Sequence, residues 1–225
     1  MNSSVQKWYD DWHREKGYDV WRLQRAYCDL MSRLLPYIGE PKFWLDVGCG
    51  VGNFLVSVRR RFPVCRRYGI DLSTEAIELS HKMVPSAVIR QADMMERFPG
   101  RENEMYDVVS LLGVVEHAPR PSFVFTRCWN VMSPHAKLIA LVPVSGFIGY
   151  WFGWKGTSQV GSVPEHVLSL KEWREEFVGF REIAVLRDYE AAYRVHKALR
   201  PLVRLAMWLI PLHWQYTVVF VLEKP

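Results

Sequence analysis

Short apolar runs alternate along this chain with segments whose apolar positions recur at helical spacing. Seven runs read as strands: Phe43–Val47, Arg67–Asp71, Ala87–Ala92, Asp107–Leu112, Leu138–Val142, Phe180–Leu186 and Tyr216–Leu222. Between them the spacing predicts helices near residues 20–37, 52–62, 74–83, 120–132, 169–177 and 190–210. Residues 108–112 (VVSLL) and 138–142 (LIALV) are almost continuously apolar, as strands covered on both faces are. Strand and helix in alternation build a doubly wound α/β sheet. No repeat, low-complexity tract or linker interrupts the pattern, and 225 residues suit one domain with its own core. Within it, residues 1–40 read as a helical cap, 144–168 as an insertion after the fifth strand, and 189–214 as a helical insertion before the last.

Two long uncharged stretches raise the question of a membrane span. Residues 138–154 hold Pro143, Ser145 and three glycines; residues 205–222 hold Pro211, His213 and Gln215. Each is barely long enough to cross a bilayer, and each reads better as a strand with its neighbouring loop or helix. A composition of 49% hydrophobic and 24% charged residues is globular and not disordered. The net charge of +5 leaves anionic partners open. Cys28, Cys49, Cys65 and Cys128 form no CxxC pair and no metal-ligand spacing, so they read as reduced thiols. With a polar, aromatic N-terminus unlike a secretory signal, this points to a cytoplasmic location.

Candidate chemistry centres on Leu45-Asp46-Val47-Gly48-Cys49-Gly50-Val51-Gly52-Asn53, which follows a strand and opens a helix. Glycines there let backbone approach a ligand closely. A structural turn and a dinucleotide loop are the competing readings, yet the third glycine of GxGxxG would fall on Asn53. Asp46 stands two residues before the first glycine, placed to brace the loop and meet an ammonium group. Asp71 ends the next strand, where a carboxylate can take both ribose hydroxyls. Asp93 follows the third strand, where it can accept from an adenine amino group beside the apolar Met94. Each aspartate alone could cap a turn. Three at the carboxyl ends of successive strands lie where open α/β sheets bind ligands.

These segments resemble the class I S-adenosylmethionine (SAM)-dependent methyltransferases, especially the small-molecule type that includes ubiquinone-biosynthesis enzymes. The resembling residues are LDVGCGVGNFL, YGIDLS, QADMM, YDVVSLLGVVEHAPRP and LIALVPV, in order over residues 43–143. The resemblance implies a Rossmann-like sheet of seven strands, mostly parallel with an antiparallel last strand, and SAM as cofactor. It implies that Asp46, Gly48 and Gly50 cradle the methionine part, with Asp71 on the ribose and Asp93 and the Met94 backbone on adenine. Cys49, Leu72 and Leu112 are the remaining expected contacts.

Methyl transfer needs mainly positioning, plus a base if the acceptor arrives protonated. The loop after strand four supplies Glu116 and His117, a pair that borders the active site in the resembling family. They could equally favour a helix start or tie down the loop. His166, before the 169–177 helix, matches a histidine near the acceptor pocket in related enzymes, or serves as a cap. Ubiquinone O-methyltransferases carry a metal-site glutamate three residues before the Glu-His pair, where this chain has Gly113, so no metal is expected. The loop also lacks the Asn/Asp-Pro-Pro-aromatic motif of enzymes that methylate base amines, and it has no cysteine for attack on a pyrimidine. Arg59, Arg60, Arg61, Arg66 and Arg67 read as helix-end and solvated cations, so no nucleic acid is expected.

The glycine-punctuated aromatic segment 146–154 reads as a substrate cover or as a hydrophobic flap packed on the core. Trp8, Tyr9, Trp12, His13, Tyr18 and Trp21 are expected to lie over SAM, as such segments do in the family. Aromatic walls suit a small, apolar or lipid-linked acceptor methylated on oxygen or carbon. On a helical wheel Arg194, Lys197, Arg200 and Arg204 share one side and Val195, Leu199, Leu202, Val203, Ala206, Leu209 and Ile210 the other. Residues 191–214 are therefore either a basic amphipathic helix in peripheral contact with a membrane or a helix packed on the sheet, with Pro201 weakening both. Two other functions compete: a SAM-binding module without transfer activity, and a nicotinamide-dependent oxidoreductase.

Overall fold

The computed structural model describes residues 3–15, 20–96, 98, 105–153 and 165–225. Its strands are β1 (Phe43–Val47), β2 (Arg66–Asp71), β3 (Val88–Gln91), β4 (Tyr106–Leu112), β5 (Met132–Pro143), β6 (Arg181–Arg187) and β7 (Thr217–Glu223). They form one sheet in the order β3-β2-β1-β4-β5-β7-β6. β1 to β5 pair in parallel, while β7 runs antiparallel between β5 and β6. This is the expected seven-stranded sheet with an antiparallel last strand.

The near-continuous apolar strands are covered on both faces, and alternate residues supply the two layers. Leu45, Val109, Leu138 and Phe220 pack with Val124, Phe125 and Cys128 of α5 (Pro121–Val131) and with Trp173 of α6 (Leu170–Glu176). Trp44, Val108, Ile139 and Val221 face the opposite way. They pack on Leu30, Met31 and Leu34 of α2 (Val20–Ile38) and on Phe54 and Val58 of α3 (Asn53–Arg61). Each such large side chain, fully buried, contributes roughly 1.5–3 kcal/mol. α4 (Thr74–Met83) lies on the β3 side, where Leu55, Val84, Ala87 and Ile89 close a smaller cluster. α1 (Ser3–Glu15) precedes α2.

Local sequence explains the helix starts. Ser73 accepts a bond from the Ala76 backbone and begins α4. Ser169 and Glu172 form a reciprocal capping box on α6.

Two elements depart from the sequence reading. β5 begins at Met132 and not Leu138, and its register against β4 shifts between Tyr106 and Val108. The sequence reading assigns residues 133–137 to no element, and His135 adopts φ 61. The bonds from His135 N to Lys224 O and from Lys224 N to Ala136 O extend the pairing regardless. The single helix expected over 190–210 is instead a 3-10 turn at Glu190–Arg194, another at Lys197–Leu199, and α7 (Arg200–Leu209). Pro201 has no N–H to donate and its ring would clash inside a helix, so it is accommodated in the first turn of α7.

Residues 1–40, read as a helical cap, contain α1 and α2, and α2 packs on one face of the sheet. Of the 144–168 insertion, residues 144–153 contain a 3-10 turn at Ile148–Phe152, and 154–164 lie outside the described residues. No helix among the described residues is long and apolar enough to cross a membrane.

Candidate active site

The carboxyl ends of β1, β2 and β4 bring the glycine loop, Asp71 and the Glu116 turn to one edge of the sheet. Gly48 N and Cys49 N donate to Ile70 O at 2.8 and 2.9 Å, which fixes the loop to β2. Gly48 has φ 71, and a Cβ there would collide with the Val114 side chain. Only glycine fits both demands. Gly50 N donates to Asp71 Oδ2 at 2.7 Å and Ser73 N to Oδ1 at 2.9 Å, so Asp71 ties the loop to the start of α4. Burial pushes the Asp71 carboxyl up, against the pull of these backbone donors.

Asp46 is buried beneath the loop. Trp44 Nε1 donates to Ser110 Oγ at 2.9 Å, and Ser110 Oγ donates to Asp46 Oδ1 at 2.5 Å. Burial raises the Asp46 carboxyl to about 7, Ser110 opposes the rise and Asp71 adds to it. Glu116 stands on the 3-10 turn Val115–His117 after β4, buried, with Oε2 unpartnered among the described residues. Burial pushes it up to about 8, and Glu165 contributes in the same direction. These three carboxyls share one property: each is desolvated, and none is ion-paired with a lysine or arginine in the described residues. Such a site favours a cationic ligand.

His117 is half-buried, with its ring edge-on to Tyr9 at 6.2 Å. His166 joins the same place through its backbone, whose N–H donates to Glu116 O at 2.7 Å. Glu165, next to it, has a buried Oε2 with no partner among the described residues. Asp93 Oδ1 accepts from Met95 N at 2.8 Å, shaping the turn after β3, and Met94 packs against the core. Leu72 and Leu112 are half-buried beside Asp71 and at the end of β4. The Cys49 side chain is buried away in the β3-side cluster, so only its backbone is available to a ligand. Gly113 has φ 72, and a Cβ there would meet Glu116 Oε1 at 3.7 Å. Among the described residues no three His, Cys, Asp or Glu side chains converge as a metal site does.

The structure adds residues from α1 that sequence reasoning did not single out. Asp10 Oδ1 accepts from Ser73 Oγ at 2.6 Å and from Glu75 N at 3.2 Å, and Gln6 donates to Thr74 Oγ1 at 3.0 Å. These bonds clamp α1 across the start of α4. Tyr9 is thereby half-buried against the site, its hydroxyl pushed up by desolvation and then by Glu116, Asp71 and Glu165. The aromatic N-terminus was the signal in the sequence. Tyr18 and the side chains of Trp12, His13 and Trp21 lie outside the described residues. On the far wall, Phe147 packs edge-on to Tyr150 at 5.2 Å and against Tyr216 at 5.3 Å. Burial and the neighbouring Tyr216 and Glu165 push the Tyr150 hydroxyl up to about 12.

Known proteins place this geometry in a family. The family model described as a methyltransferase domain matches residues 20–179. Trans-aconitate 2-methyltransferase of Yersinia pseudotuberculosis serotype O:1b (strain IP 31758) is 30% identical over 140 residues, 62% of this chain and 51% of that protein. The chain thus spans about half the length of this curated relative. A chain in the complex between the Haloferax volcanii Trm112 methyltransferase activator and the putative methyltransferase superposes with a TM-score of 0.71 at 17% identity, covering 98% of this chain and 97% of that one. The plantazolicin methyltransferase BpumL, in complex with a pentazolic desmethylPZN analog and SAH, gives 0.64 at 14% identity over 100% of this chain and 92% of that one. These structural likenesses concern the fold. The family match covers the glycine loop, all three aspartates and the Glu-His turn, and it sets aside a nicotinamide-dependent oxidoreductase. The chain belongs to the methyltransferase-domain family, on the class I fold that its sequence resembles.

Proposed function

We propose that this protein is a SAM-dependent methyltransferase acting on oxygen or carbon of a small, apolar or lipid-linked acceptor. The observation that carries the reading is the set of desolvated carboxyls, Asp46, Asp71 and Glu116, around a glycine loop that no side chain could replace. SAM supplies an electrophilic methyl group on a sulfonium and carries an ammonium besides. Asp46 and the Gly48, Cys49 and Gly50 backbone receive the methionine part. Asp71 takes the ribose hydroxyls with lone pairs left over from its two backbone donors. Leu72 and Leu112 flank the nucleoside, and Asp93 with the Met94 backbone meets adenine.

Glu116 and His117 face the acceptor. Glu116, held near 8, can take a proton from an acceptor hydroxyl or enol as the methyl group is transferred, and Tyr9 restricts the His117 ring. His166 fixes the Glu116 turn through its backbone bond, a positioning role. Tyr9, Phe147 and Tyr150 wall the acceptor space and keep water out. Aromatic walls favour an apolar acceptor, and the 191–214 region favours reaching it at a membrane surface. A cytoplasmic location is supported by four free thiols, three of them buried.

The test is transfer of labelled methyl from SAM into host lysate, followed by organic, aqueous and macromolecular partition. Label is expected in the organic fraction, and Asp71→Ala is expected to abolish it. Label on macromolecules, or none despite measurable SAM binding, would overturn the reading, the latter in favour of a SAM-binding module without transfer.

A further inference from the structure

Residues 191–214 read either as a basic amphipathic helix on a membrane or as a helix packing its apolar face on the sheet, and α7 does not pack that face on the sheet. It is turned so that its cations face the protein. Arg204 pairs with Asp29 at 2.6 Å and lies 4.7 Å over the Tyr189 ring, and Arg200 lies over Tyr193. Gln215 Nε2 bonds Met207 O at 2.7 Å and holds the same side inward. The opposite side is apolar and open: Leu202, Leu205, Trp208 and Leu209 are 65%, 54%, 58% and 66% exposed. Such a continuous apolar face outside a core marks an interaction surface.

A second exposed apolar element adjoins it. Trp151 and Phe152, on the turn after β5, are 73% and 81% exposed. The Trp151 ring meets Trp214 edge-on at 6.3 Å, just beyond α7, and the Gly146 backbone presses against His213. Both segments leave the sheet at one edge, because β5 ends there and the antiparallel β7 begins there. That is the edge carrying the glycine loop and Glu116.

We infer that α7 and the Trp151–Phe152 turn form one face that docks on an anionic lipid bilayer, presenting the acceptor side of the site to the membrane. Charge selects the occupant. From Ala191 to Leu222 there is no acid, while the exposed Arg194 and Lys197 lie just before α7. Asp29 and Glu190, the acids that reach this region, are already paired with Arg33 and Arg204 and with Arg22 and Arg194. A two-fold contact with a second copy would set these cations against themselves. An anionic interface instead takes leucines and tryptophans into its outer layer and pairs the exposed Lys197 with headgroups. The inference deepens the reading of an apolar or lipid-linked acceptor and rests on it only for its purpose.

The experiment is co-sedimentation of the full chain with vesicles of phosphatidylcholine alone or with phosphatidylglycerol, at low and high salt, beside calorimetric SAM binding on the same preparation. Binding is expected to anionic vesicles, weakened by salt. It should fall at least about tenfold in Leu205→Glu/Leu209→Glu, whose exposed positions leave fold and SAM affinity intact. Val64→Glu, at a still more exposed apolar residue before β2, should change nothing. No binding to anionic vesicles, equal loss in Val64→Glu, or a dimer that the double variant dissolves would each overturn docking. Vesicle binding without SAM binding would leave docking standing and overturn the proposed reaction.

Discussion

Asp46 and Glu116 show how burial sets the electrostatics of single side chains in the candidate site. Each has its carboxyl raised by burial, so its charged form is disfavoured in the folded, unliganded protein. The stabilising effect of the neutral form is therefore complete in acid and is lost as pH rises towards the folded value, about 8 for Glu116. Unliganded wild-type protein should lose Tm relative to Glu116→Gln between about pH 5 and pH 8, in thermal melts across that range. Parallel curves would remove the case for a desolvated Glu116. The three aspartates and the Glu-His pair could be read from sequence because a strand's carboxyl end fixes their place. That the Cys49 side chain packs away from the loop could not, since it depends on the neighbouring Gly69 leaving room for its sulfur.

At the scale of elements, the glycine loop is rigid because two constraints coincide at one residue. Gly48→Ala must adopt positive φ and push Val114 aside at once. It should destabilise the protein by about 3 kcal/mol, measured by urea unfolding. A loss below about 1 kcal/mol would mean that the turn after β4 yields easily. Strand positions followed from apolar runs to within a residue or two, except at β5, where Ser133–His135 and Lys137 break the apolar run yet lie within the strand. Local pattern failed there because β7 and Lys224 supply the hydrogen bonds that hold the extra strand length. The expected helix over 190–210 failed for the opposite reason, a local one: Pro201 begins a helix rather than sitting within it.

The whole molecule brings three distant segments together at one end of the sheet: the glycine loop, the Glu116 turn with residues 165 and 166, and α1 folded back over α4. A ligand held by all three should stabilise the chain as a unit. SAM at a hundredfold its Kd should add about 2.7 kcal/mol and raise Tm by roughly 5–10 °C, read by calorimetry. NAD at the same concentration should leave Tm where it is. A shift with NAD and none with SAM would contradict the family's cofactor in this chain.

Periodicity, the glycine loop and the acids at strand ends determined the layered sheet, its order of elements and the edge where chemistry is proposed. All of these follow from neighbours within one βαβ unit, where backbone geometry leaves little choice. Only the tertiary structure decided that Asp10 clamps α1 to Ser73, that Tyr9 lies against the site, and that α7 turns its leucines outward. A helical wheel gives two faces but not which one the protein takes. That choice rests on contacts such as Arg204 with Asp29, 175 residues apart, whose pairing no local pattern encodes.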